Sequence, residues 1–285
     1  MLYAPHRTAC CVALALCCAS AHAIDWSDTS ISFRYGTKFA EPFEPNDIHK
    51  RIYNLTYANG YKYGTNYLNV DLLLSDGKDP RDLNSSRGAQ EVYVVYRHTL
   101  DIGKVMGKDI KFGPVRGVGA TLGFDVNTKD DRHYNSEKRM LVAGPTLMFD
   151  VPGFLNASLL ARWESNAPLD KSAPPRIARY RYDTHPMLSL AWGVPIGSLP
   201  LSFEGYANFI AAKGKDEFGN GTKPETHIDM QIMYDLSSAV GASKNTFKVG
   251  LEYEYWRNKF GVDHTGPAGS GAFAKTPMVR AEYHF

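Results

Sequence analysis

From about residue 30 to its last residue, this chain is written at a period of two. Ile31, Phe33 and Tyr35 alternate with Ser32, Arg34 and Gly36. Leu155, Ala157, Leu159, Ala161 and Trp163 alternate with Asn156, Ser158, Arg162 and Glu164. Val279, Ala281, Tyr283 and Phe285 alternate with Met278, Arg280, Glu282 and His284. Successive side chains of a β-strand point to opposite faces, so each run reads as a strand with one apolar and one polar face. Twelve such segments follow one another, near 30–39, 50–59, 67–74, 91–97, 117–125, 139–151, 155–164, 181–192, 201–209, 227–235, 247–256 and 278–285. The apolar face is free of charge through the middle of nearly every one.

Two architectures use such strands. A soluble sandwich turns its polar face to water and keeps a dry core. A membrane barrel turns its apolar face to lipid and its polar face to a wet lumen. Alternation alone does not choose between them, but connection lengths do. Longer polar stretches near 40–49, 75–88, 127–136, 166–179, 213–224 and 258–275 follow the odd-numbered segments. Tighter ones, 60–64, 101–109, 152–153, 193–199 and 237–244, follow the even-numbered segments. Long extracellular loops alternating with short periplasmic turns belong to outer-membrane barrels. Aromatic residues near segment ends, among them Tyr57, Trp163, Trp192, Phe209 and Tyr255, fit interfacial girdles. The expected fold is an all-β, transmembrane antiparallel barrel of about twelve strands.

The first 23 residues supply a route to that membrane. His6 and Arg7 precede an apolar run from Thr8 to Ser20, and Ala21-His22-Ala23 offers small residues for cleavage. The run is too short for a permanent helical anchor. Residues 1–23 are expected to be a cleaved secretory signal and residues 24–285 a single barrel domain. The strand that ends at Tyr283 and Phe285 has the aromatic finish expected of a signal to barrel-insertion machinery. Outer-membrane lipids are the other expected partner, and the expected location is the bacterial outer membrane.

Composition narrows the chemistry. All four cysteines, Cys10, Cys11, Cys17 and Cys18, fall within the leader, so thiol chemistry and disulfides are excluded for the barrel. The 32 basic and 30 acidic residues nearly cancel, which argues against a nucleic-acid partner. The nine histidines show no H-x-x-x-H or H-E-x-x-H spacing, so neither a metal nor a cofactor is expected. No Gly-x-Ser-x-Gly elbow occurs.

The polar face therefore carries the candidate site. Arg34, Tyr67, Asp71, Tyr93, Arg97, Asp125, Glu204, Tyr206 and Trp256 are expected to line the lumen and meet solute. Charges of both signs suit neutral or zwitterionic solutes, because rings of one sign would select ions. Tyr67, Tyr93, Tyr206 and Trp256 offer stacking surfaces for ring-shaped molecules. Gly117, Gly119 and Gly123 either leave room opposite those rings or ease strand bending.

Ile24-Asp25-Trp26-Ser27-Asp28 leading into Ile31-x-Phe33-x-Tyr35-Gly36 resembles the start of the nucleoside-specific channel-forming outer-membrane proteins (the Tsx-type channels). Lys111-Phe112-Gly113-Pro114, Tyr57-Ala58-Asn59-Gly60 and the aromatic C-terminus carry the same resemblance. It implies a monomeric twelve-stranded barrel with a narrow aromatic-lined pore that admits nucleosides. The expected function is passive diffusion of small solutes. The alternatives are a phospholipase-like barrel enzyme, which would need Ser and His together on the lipid face, and a structural or adhesion barrel acting through its loops.

Overall fold

The computed structural model describes residues 24–82, 86–132, 134–170 and 177–285. The expected leader with its four cysteines, and His133, lie outside the described residues. Twelve long strands follow in chain order: β1 Ile24–Glu41, β2 Glu44–Tyr61, β3 Gly64–Ser75, β4 Gln90–Asp101, β5 Val115–Asp130 and β6 Glu137–Phe149, then β7 Phe154–Asn166, β8 His185–Pro195, β9 Leu201–Ile210, β10 Glu225–Asp235, β11 Phe247–Arg257 and β12 Phe273–His284. Each pairs antiparallel with the next, and β12 pairs back onto β1, with Ser30 opposite His284 and Phe33 opposite Ala281. The sheet is closed. In hydrocarbon no water can satisfy a backbone N–H or C=O, so an open edge would be costly and closure removes it.

The two faces sort by environment in the sense opposite to a soluble protein. Leu251 is 70% exposed and Leu141 59%, both on the outer wall, whereas the inward-facing Lys50 and Glu252 are 1% and 2% exposed. Water would demand the reverse, since buried charge is costly and exposed leucine unfavourable. An apolar belt around a polar interior is the arrangement lipid requires. The molecule is a closed twelve-stranded transmembrane barrel of the outer-membrane type.

Loop lengths depart from simple alternation in two places. The stretch 40–49 is not a loop. β1 and β2 run on as a hairpin to a turn at Pro42-Phe43, with Phe43 at φ 68°. Phe39, Ile48, Ile52 and Met278 pack together inside, with Leu73 against them, and hold the extension as sheet. At the opposite end, residues 102–114 form a long connection that opens with a single helical turn, α1 Ile102–Met106. The Asp101 side chain accepts from the Lys104 N–H, and Gly107 closes the turn at φ 62°.

Two stretches also reverse their faces. Between Gly36 and Phe39 three steps face the two from Lys50 to Ile48, so Phe39 turns inward. Before β8, Tyr180–Arg181 form a short rung against β7, with Arg181 opposite Ser165, yet His185 stands opposite Arg162. Four steps along one chain thus face three along the other. The extra residue flips the parity. From His185 onward the expected faces hold, but Arg181 is exposed and Tyr182 turns inward. Tyr134–Asn135 pair with Leu169–Asp170 above the barrel rim, tying two loops together.

The outward direction of β7 can be tested at Leu159, 58% exposed on the outer wall. Leu159→Arg puts a cation against acyl chains and is expected to destabilise the folded barrel by about 2–4 kcal/mol. Equilibrium guanidinium unfolding in phospholipid vesicles checks this. An unchanged midpoint would mean that this face does not meet lipid.

Candidate functional site: the lumen

The lumen is built from the inward residues of all twelve strands, and its walls differ. Across β11, β12 and β1 to β3 an ionic lattice forms. Arg34 pairs with Asp71, and its other nitrogen donates to Glu252 Oε1 at 3.2 Å. Arg280 donates to Glu252 Oε2 at 3.0 Å and pairs with Glu282. Asn54 donates to Asp71 and to Asn69, each at 2.7 Å. Glu252 thus bridges two guanidiniums that stand opposite each other on the paired strands β1 and β12.

Across β4 to β7 the wall is small and hydroxylic. Thr99, Thr121, Thr146 and Ser158 form a continuous hydroxyl chain, with oxygens 2.8, 2.6 and 2.7 Å apart. Arg97 lies along this wall and donates two hydrogen bonds to the Asp125 carboxylate, at 2.5 and 3.2 Å. Gly123 is opposite Arg97 in register, and a Cβ there would come within 2.1 Å of the Tyr96 carbonyl oxygen. At this position glycine is required by close approach of the neighbouring strand.

The sequence-derived candidates all face the interior but do not form one cluster. Arg34 and Asp71 belong to the ionic lattice, and Arg97 and Asp125 to the opposite wall. Tyr67, 41% exposed, and Glu204, bound by Lys248 at 3.3 Å, lie toward the end that carries the chain termini. Tyr93, Tyr206 and Trp256 belong to the half nearer the long loops. There Trp256 stacks on His227, with ring centroids 3.9 Å apart and planes 9° from parallel. Tyr206 meets the same imidazole edge-on at 5.2 Å, and its hydroxyl lies 3.2 Å from Nε2. Glu254 approaches that nitrogen at 3.2 Å.

Above these rings the lumen is filled. Glu41 gathers Lys50 at 2.5 Å, Lys259 at 3.1 Å and Lys129 at 3.6 Å. Lys129 also reaches Asp79 at 3.0 Å and Asp131 at 3.4 Å. Beside this group Glu164 holds Lys213 at 2.7 Å, Arg162 at 3.4 Å and Lys138 at 4.0 Å. The space left among Tyr93, Lys138, Arg162, Trp256 and Phe260 is about 30 Å³, room for one or two waters. Buried ion pairs of this kind contribute little net stability against their desolvation. What they do is close the mouth with matched charge.

Lys138, Lys213, Lys259 and Phe260 were not among the residues singled out from sequence. Lys138 lies one residue before the periodic run that begins at Arg139. The other three come from loops, where no period points inward. The buried ammonium groups of the three lysines offset the strand carboxylates. Among the described residues no group of three or more His, Cys, Asp or Glu is placed to hold a metal ion.

A latch sits on the rim. Glu217, in the loop after β9, accepts hydrogen bonds from Tyr134 and Tyr182 and from Asn166 at 3.0 Å. Three separate loops and a strand end thereby meet at one carboxylate. Burial pushes Glu217 up, but the two phenol hydrogen bonds outweigh it and hold the carboxyl below its usual value. Burial and the nearby Glu217 charge raise both phenols.

No protein-family model matches this chain, and no curated protein sequence matches it. Among solved structures, the translocator domain of autotransporter NalP from Neisseria meningitidis is similar at 11% identity with a TM-score of 0.46, covering 95% of this chain and 93% of that one. OprB from Pseudomonas putida is similar at 8% identity with a TM-score of 0.27, covering 92% and 94%. The outer-membrane protein OpdK from Pseudomonas aeruginosa is similar at 8% identity with a TM-score of 0.26, covering 92% and 100%. At such identities no residue role carries across. The closure, the apolar belt and the charged interior make this chain a bacterial outer-membrane β-barrel on their own evidence.

Glu217 gives the latch a pH dependence of definite sign. Its lowered pKa means that the latch stabilises the loops fully above the ordinary glutamate pKa of about 4.3. That contribution is lost as pH falls through the lowered folded-state value. Amide exchange in 211–224, corrected for its intrinsic pH dependence, is expected to quicken at pH 3 relative to pH 6. Glu217→Gln is expected to reproduce the acid behaviour at pH 6. Equal protection of this loop in variant and wild type would remove the latch.

Proposed function

We propose that this barrel is a narrow, selective channel for passive diffusion of small ring-bearing solutes, of the size and shape of nucleosides. The observation that carries the reading is the aromatic group inside the lumen. Tyr206, His227 and Trp256 stand in contact within a polar interior, and the buried Trp256 indole N–H has no hydrogen-bond partner among the described residues. A flat solute can stack on such rings and hydrogen-bond their edges, a contact worth about 1–3 kcal/mol per base in nucleic-acid proteins. The hydroxyl chain from Thr99 to Ser158 offers donors and acceptors to a sugar. The resemblance of the N-terminal segment and strand rhythm to the Tsx-type channels supports the same reading. In use, the lysine–carboxylate closure must part for each passage, so conductance is expected to be small.

That closure also favours a second reading, a plugged barrel that acts through its loops. Liposome swelling with the mature chain distinguishes the two. A channel admits nucleosides faster than sugars of equal mass. Tyr206→Ala combined with Trp256→Ala is expected to lower nucleoside rates several-fold and leave sugar rates within about twofold, as loss of stacking alone would do. If no solute enters, the plugged barrel is the right description.

A further inference from the structure

The void beneath the closure is lined by one loosely held buried cation and one buried carboxylate without an ion pair among the described residues. Lys138, 6% exposed, finds its nearest carboxylate oxygen on Glu164 at 4.0 Å. That oxygen already accepts from Lys213 at 2.7 Å. The ammonium also lies over the Phe260 ring, 3.7 Å from its centroid. Glu225 is also 6% exposed, and among the described residues its carboxylate has no hydrogen bond and no ion pair within 4.0 Å. Both line the same void with Trp256 and Phe260, from β6 and the start of β10. A buried ion without a close partner is costly, and a loosely paired cation and an unpaired carboxylate, more than 4.0 Å apart across one void, can both be matched by a molecule that carries both charges.

The seat is covered by a residue in an unusual conformation. Phe260 has φ 61°, and Asn258 and Gly261 on either side are also left-handed at 52° and 81°. Such a conformation for an aromatic residue persists only where its surroundings hold it. Here the ring lies between the Lys138 ammonium and the Trp256 indole, 4.8 Å from the latter in edge-on contact. It occupies the place that the side chain of a bound solute would take.

We propose that the upper lumen is a binding site for zwitterionic α-amino acids with an apolar or aromatic side chain. The carboxylate rests on Lys138, the ammonium on Glu225, and the side chain replaces the Phe260 ring against Trp256. This goes beyond the nucleoside reading by assigning a second class of solute to the same lumen, and it rests on that lumen admitting solutes.

Calorimetric titration of the detergent-folded mature chain and its Phe260→Ala variant tests the site. The probes are phenylalanine, phenylalaninamide, N-acetylphenylalanine and N-acetylphenylalaninamide. Phenylalanine is expected to bind at least about tenfold more tightly than the other three, as desolvated charge pairs allow, and more tightly to Phe260→Ala than to wild type. Lys138→Met abolishes the preference over the amide, and Lys138→Arg retains it. Glu225→Gln abolishes the preference over the N-acetyl acid. Equal binding of the four probes, or no heat at millimolar concentration in either protein, overturns the site. Circular dichroism confirms that each variant is folded. Binding is read without transport. A barrel that binds but passes nothing fails only as a channel, and one that passes solutes without discriminating the probes fails only as this site.

Discussion

Closure of β12 onto β1 is the constraint from which the rest follows. Lipid cannot hydrogen-bond a free strand edge, so the sheet must return on itself. Once it does, strand geometry sends alternate residues inward and outward with no further choice. Ile31, Phe33 and Tyr35 meet acyl chains because Ser32, Arg34 and Gly36 cannot. One interruption of that rule, the extra residue between Arg181 and His185, turns Tyr182 from the outer wall to the rim. There it joins Glu217 and Tyr134.

A second consequence is electrostatic. A twelve-stranded lumen is narrow, and these inward side chains are long, so little water remains between them. Charges that would be solvated in a wide pore must here find each other. Glu252 between Arg34 and Arg280, and Glu41 among three lysines, are the result. Such lattices contribute less to stability than to uniqueness, because an unmatched buried ion costs more than a matched pair returns. Arrangements that leave ions unmatched are therefore informative. Lys138, held only at 4.0 Å, and Glu225, without an ion pair among the described residues, contrast with the close pairs of Glu41 and Glu252.

The interior is also graded along its length. Near the chain termini Tyr67 is open to the lumen. At mid-height the ionic lattice faces a hydroxyl-lined wall. Toward the long loops the Tyr206–His227–Trp256 rings give way to lysines and carboxylates. A solute passing along this path meets aromatic surface before it meets the charged closure, or the reverse from outside. Selection by ring stacking and selection by charge thus occur at different depths, and one can be altered without the other.

Strand number, face assignment and the inward direction of Arg34, Tyr93, Arg97, Tyr206 and Trp256 were legible in the sequence, because a period of two is a local property that each strand states by itself. Which inward residues meet was not legible. Pairing Arg34 with Glu252 depends on β1 lying two strands from β11 around a closed ring, a relation no local pattern encodes. Lys213, Lys259 and Phe260 enter the lumen from loops that fold back, and loop residues carry no period to show their direction. The sequence alone determined that charge would be enclosed and grease exposed. Only the tertiary structure decided that the enclosed charges nearly fill the mouth, with the Lys138 ammonium loosely held and the Glu225 carboxylate without an ion pair among the described residues, because that depends on distances between strands and loops that sequence spacing does not measure.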